Sequence, residues 1–147
     1  MDKGGEMVTS KALKALAITF FLSGLYDAFG GFYYSFMVGV GRSVDNPPTH
    51  SFYALFIASF LFCFAYLQVL SAFNIRRYLL AVGVVIIGRI FYVVVLFAYM
   101  LFVADFPNTF WTTAIIDLAW SALYIVFTLI SDEIRLKDLF LPYREAS

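Results

Sequence analysis

Three charged residues, Asp27, Arg89 and Asp117, lie deep inside stretches of the chain that are otherwise apolar. A charge at the centre of a membrane helix costs roughly 2.5–3.5 kcal/mol even on a lenient insertion scale, so three of them need one another or a wet cavity. Two carboxylates and one guanidinium leave one surplus negative charge. Either one aspartate holds a proton at neutral pH, because desolvation and an acidic neighbour both oppose the second ionisation, or a cationic ligand or water completes the site. A protonatable Asp beside an Arg is the arrangement that proton-coupled transporters and relays use. The same pair can also serve as general acid and base on a lipid-soluble substrate.

The elements that must position these residues follow from composition. The 147 residues are 63% hydrophobic, 20% aromatic and only 14% charged, and the mean hydropathy is +0.87. A chain of this size cannot hide that much apolar surface in one core, so lipid is its natural solvent. Four apolar segments run from about Ala15 to Val40, Phe52 to Phe73, Tyr78 to Val103 and Phe110 to Ile130. Each reaches the roughly 20 residues that a helix needs to cross the hydrocarbon core. Gly41 to His50, with Asp45, Asn46, Pro47 and Pro48, reads as a loop, as does Asp105 to Asn108 with Pro107, while Asn74 to Arg77 is a tight polar turn. The runs are apolar on all sides, without the period-two alternation of a spanning barrel. The expectation is all-α: one domain over 1–147, an integral membrane four-helix bundle.

Charge sets the expected topology and narrows the chemistry. Lys3, Lys11 and Lys14 precede the first helix, Arg76 and Arg77 fill the second connection, and Arg135, Lys137 and Arg144 follow the fourth; Arg42 alone lies opposite. The positive-inside rule then places both termini in the cytoplasm, and in a bacterium the membrane would be the cytoplasmic (inner) one. A signal peptide over Lys11 to Leu22 is the competing reading of the start, but the apolar run continues past the length of a signal core and no clean cleavage site follows. No basic run suggests nucleic acid. One cysteine, Cys63, excludes intrachain dithiol chemistry. One histidine, His50, cannot supply a bis-imidazole haem or the usual ligand set of catalytic zinc. No cofactor or metal is expected.

The three charges share a level. Counted from the cytoplasmic end of each span, Asp27 is about 12 residues in, Arg89 about 11 and Asp117 about 13, which agrees within a few Å at about 1.5 Å per residue. If the helices are neighbours, the planar fork of Arg89 can bridge both carboxylates. The second helix offers no charge there: Leu61 and Cys63 are nearest, with Tyr66 and Gln68 closer to the cytoplasm. Each charge also heads an inward stripe at helical spacing. Around Asp117 this is Thr113, Trp120, Ser121 and Tyr124, around Asp27 it is Ser23, Gly30, Gly31 and Tyr34, and around Arg89 it is Tyr92. The candidate binding and proton site is therefore Asp27, Arg89, Asp117, Tyr34, Tyr92, Trp120, Ser121 and Tyr124. Gly24, Ala28, Gly31 and Ser35 form a small-residue stripe that lets a neighbouring helix approach closely.

Other readings stand beside the site. Intramembrane Asp and Arg can be structural glue that fixes helix register and partner choice. Tyr53, Tyr99 and Trp111 fall near the outer boundary, where aromatic residues anchor helices to the interface. After Ile130, the segment Ser131 to Tyr143 alternates Asp132, Glu133, Arg135, Lys137 and Asp138 with Ile134, Leu136, Leu139, Phe140 and Leu141. That amphipathic pattern can continue the fourth helix or lie on the cytoplasmic surface, most simply as a solvated helix end.

Between Ile75 and Ile130, the order Ile-Arg-Arg-Tyr at 75 to 78, Gly83, Gly88 with Arg89, Tyr92, Pro107 and Asp117 resembles small four-helix bacterial membrane proteins of the DoxX-like kind. The resemblance implies a shared basic and acidic pair at Arg89 and Asp117. It also implies the fold more strongly than any activity. Three functions are carried forward: binding or transport of a lipophilic or cationic small molecule with proton exchange, an accessory subunit of a membrane complex, and an enzyme acting on a lipid-soluble substrate. The partners these imply are the bilayer, a lipophilic ligand, and further copies of the chain or a membrane complex.

Overall fold

The computed structural model describes residues 10–38, 51–103 and 110–140. The expected loops with Arg42, Asp45, Pro47, Pro48 and His50, and with Asp105 and Pro107, lie outside the described residues, as do Lys3, Arg144 and Val40.

Four long helices make up the architecture: α1 Lys11–Tyr33, α2 Ser51–Phe73, α3 Leu79–Phe102 and α4 Phe110–Leu129. A π turn, Tyr34–Val38, prolongs α1, and a short 3-10 helix, Leu136–Leu139, follows α4. All four long helices are long and apolar enough to cross a membrane, by length and composition. No strand occurs among the described residues. The chain is thus an all-helical bundle of membrane-spanning type. Its outward faces carry rings that water would not tolerate in such number: Phe29 is 70% exposed, Phe91 69% and Phe102 85%.

α1 starts at Lys11, before Ala15, because Ser10 caps it: the Ser10 hydroxyl accepts from the Leu13 N–H at 3.2 Å. The small-residue stripe does what its spacing predicts. A Cβ on Gly24 would lie 3.2 Å from the Ala65 carbonyl, and one on Gly31 would lie 3.2 Å from the Ala58 carbonyl. Two glycines seven residues apart on α1 therefore seat against two alanines seven residues apart on antiparallel α2. The α1 and α2 backbones approach closely over two turns, which brings Gln68 inward.

The contiguous apolar core gathers at the end of the bundle where α1 begins and α4 ends. Leu13, Leu16 and Phe20 of α1 meet Ile75, Val82, Val85 and Ile86 around α3, with Tyr124 of α4. Ile134 and Leu139 close this core and are 3% and 1% exposed. The tail accordingly differs from a continued helix or a solvated helix end. α4 stops at Leu129, the chain turns at Ser131, and the segment folds back so that Leu139 lies over Gly83 of α3. Ile134 and Leu139 of its amphipathic pattern face the protein's own core, while Leu136 and Phe140 are exposed.

One carboxylate holds this fold-back. Glu133 accepts a hydrogen bond from the Ser10 N–H at 2.5 Å and an ion-paired one from Arg76, so it ties the start of α1, the α2–α3 turn and the segment after α4. Arg76, and next the Ser10 N–H, hold the Glu133 carboxyl below the usual carboxylate range. A carboxyl depressed in the folded state stabilises above its unfolded value, and that stabilisation is lost as pH falls through the depressed value. Thermal unfolding of the parent and of Glu133→Gln should therefore differ at neutral pH and converge in acid. A difference that persisted unchanged in acid would remove Glu133 from this role.

Candidate functional site

Arg89 lies on the buried face of α3 and is 5% exposed. Its side chain reaches across the bundle centre to two helices. Nη2 donates to Asp27 Oδ2 at 2.6 Å, and Nη1 donates to Asp117 Oδ1. Asp27 and Asp117 are 3% and 5% exposed, so the two ion pairs are buried. Removed from water, such charges persist only as a mutually paired set. Arg89 thus spans α1 and α4 through its two ion pairs.

The fourth helix of the set enters through Gln68 of α2, which the charge pattern placed nearer the cytoplasm and outside the cluster. Gln68 is fully buried. Its amide Nε2 donates to Asp27 Oδ2 and, at 3.2 Å, to the Phe64 carbonyl of its own helix. Its Oε1 accepts from Arg89 Nη2 at 3.3 Å and from the Ser23 hydroxyl. Gln68 therefore lies between the ion pairs and a second, neutral layer. In that layer the Tyr124 hydroxyl donates to Ser23 Oγ and lies 3.0 Å from Gln68 Oε1. Its single proton serves one of these acceptors at a time.

The stripes sort the remaining candidates. Tyr124 is fully buried and belongs to the network, with its ring 4.5 Å from that of Phe20. Ser121 is buried, but its hydroxyl donates to the Asp117 backbone carbonyl at 2.8 Å rather than to a carboxylate. Trp120 is half-buried, with a buried Nε1 that has no hydrogen-bond partner. Tyr34 is half-buried within the π turn, and Tyr92 is 40% exposed on α3. The structure thus brings together Asp27, Arg89, Asp117 and Tyr124 and adds Gln68 and Ser23. Tyr34 and Tyr92 stand outside the buried layers. A sequence signal for Gln68 existed: it is the only carboxamide within the four apolar stretches.

Two further hydroxyls, Ser71 Oγ and Thr128 Oγ1, are buried without a partner, as is Arg89 Nε. Such groups in a polar interior are the usual partners of internal water or of a ligand's polar atoms. Among the described residues, no group of three or more His, Cys, Asp or Glu side chains is placed to hold a metal ion.

Fold and site define a class: a four-helix bundle of membrane-spanning type with a buried Asp-Arg-Asp bridge at its centre. No family model matches the chain, and comparison with curated proteins and with solved structures finds no match.

Proposed function

We propose that this is an integral membrane protein whose central cluster binds a lipophilic or cationic small molecule and exchanges a proton as it does so. The carrying observation is that one guanidinium serves two buried carboxylates. A site with this surplus charge is completed by a proton or a cation, and binding of one releases the other. The unpaired donors Arg89 Nε and Trp120 Nε1 favour an occupant, or its water, with acceptor atoms. On the positive-inside argument, the end bearing Lys11, Lys14, Arg76, Arg77, Arg135 and Lys137 faces the cytoplasm, across an inner membrane in a bacterium. A bundle of four helices is narrow, so a transport path would run between copies of the chain.

Tetraphenylphosphonium, a lipophilic cation, provides the test on purified protein in detergent. It should raise the melting temperature more at higher pH, and its binding should release a proton into weakly buffered solution. Asp27→Asn and Asp117→Asn should each weaken both effects. A melting temperature indifferent to the cation at every pH would favour the accessory-subunit reading. That reading draws on one observation of its own, that Gln68 and Arg89 stitch all four helices together.

A further inference from the structure

The two carboxylates on Arg89 are not equivalent, and the difference comes from Gln68. The orientation of the Gln68 amide is dictated by its neighbours. Arg89 Nη2 presents a hydrogen to one end of it and the Asp27 carboxylate an acceptor to the other, while the Ser23 hydroxyl, whose single proton is shared between Gln68 Oε1 and the Phe20 carbonyl, and the Tyr124 hydroxyl at 3.0 Å lie on the Arg89 side. Reversing the amide would set its NH2 against a guanidinium N–H, donor against donor. The oxygen must face these groups, and the NH2 must face Asp27. Asp27 Oδ2 therefore receives two donors, Arg89 Nη2 and Gln68 Nε2.

Asp117 is served differently. Its Oδ1 accepts from Arg89 Nη1. Ser121, four residues on and on the same helical face, is turned to the Asp117 backbone carbonyl, and the Trp120 Nε1 one turn away is without a partner. Hydrogen bonds donated to a carboxylate favour its ionised form, so the carboxylate with more donors keeps its charge. The groups that face this pair from the surrounding helices are Ser23 of α1, Gln68 of α2, Arg89 of α3 and Tyr124 of α4. Tyr26 and Tyr92 also lie within electrostatic range of Arg89. Arg89 is the sole cation among them, and it is shared by both acids.

We infer that Gln68 is a positioning residue that keeps Asp27 an anion, and that the exchangeable proton of the cluster resides on Asp117, on the carboxyl oxygen turned away from Arg89. On release the proton passes to water, leaving Asp117 as carboxylate. This deepens the proton-exchange reading proposed above and rests on it, but it concerns the unliganded protein and needs no ligand for its test.

Infrared difference spectroscopy of the reconstituted protein, titrated from acid to alkaline pH, reads the carbonyl stretch of a protonated carboxylic acid directly. The parent should show one such band, shifted by 13C labelling of aspartate. Either Asp→Asn variant leaves one carboxylate against Arg89 and should lose the band, whereas in Asp27→Glu, which keeps both carboxyls, the band should still shift with labelled aspartate. In Asp117→Glu, which keeps the acid should the amide variant fail to fold, the band should persist but no longer shift with labelled aspartate. Gln68→Leu should remove the bias, so that in the Asp117→Glu background part of the band again shifts with labelled aspartate. A band that lost its aspartate shift in Asp27→Glu and kept it in Asp117→Glu would overturn the assignment while leaving proton exchange intact. Absence of a carboxylic acid band from the parent would overturn both, since the surplus charge would then be met by a cation or water.

Discussion

Replacing Arg89 with alanine is expected to cost about 3–5 kcal/mol of stability, the loss seen when one partner of a buried ion pair is removed. Arg89 is paired with both Asp27 and Asp117 in a site almost closed to solvent, so its loss strands two carboxylates rather than one. Those acids must then take up protons to remain buried. The defect should consequently be largest at high pH and shrink as pH falls, measured by reversible unfolding in detergent. Arg89→Lys should recover only part of the loss, because an ammonium cannot fork to two helices as a guanidinium does. The combined Asp27→Asn, Arg89→Met and Asp117→Asn protein should unfold close to the parent, since a neutral, space-filling replacement needs no compensation. A cost below about 1 kcal/mol for Arg89→Ala, the range of an exposed pair, would mean the bridge does not form in the folded protein.

The second large effect is expected at Gly83. A Cβ built there would collide with the Leu139 carbonyl oxygen and lie 3.0 Å from its carbon, with Phe140 Cδ1 at 3.2 Å. The obstruction is backbone, so no rotamer change can relieve it. Gly83→Ala must push the Leu136–Leu139 turn off α3, uncovering Leu139 and Ile134 from the core they now close. Overpacking of this kind costs typically about 1–3 kcal/mol, against which alanine returns up to about 1 kcal/mol of helix propensity. The expected result is a net loss of stability together with faster proteolysis after residue 130. Gly30→Ala is the comparison: its Cβ would meet only the flexible end of Leu61, at 3.3 Å, and it should be near neutral. If Gly83→Ala instead stabilised the protein and left the tail protected, the docked segment would not be part of the folded structure.

How much of this could be read in the residues depends on the cost of misplacing each. Asp27, Arg89 and Asp117 were legible as a set because an unpaired charge in hydrocarbon is expensive and only a shared location relieves it. Tyr124 and Ser121 were legible as inward by helical spacing, though only the coordinates divide a network member from a residue bonded to its own backbone. Gln68 is harder to read in the sequence, because a neutral amide carries a smaller penalty and because residue counts along each helix do not register how far an extended side chain reaches. The tail was open for another reason. An amphipathic decapeptide reads alike whether it continues a helix, lies on a membrane or docks on its own bundle. The choice was made by partners far away in the chain, the bare surface at Gly83 and the Glu133 contacts to Ser10 and Arg76.

The amino-acid order by itself determined that four helices form and that three charges within them belong together, since both follow from local apolar length and from the price of burying charge. Only the tertiary structure decided which helix supplies the amide, which aspartate receives two donors, and where the tail rests. Those outcomes depend on the direction of hydrogen bonds and on the clearance above one glycine. Neither is a property of a residue's type or spacing; both arise when the helices meet.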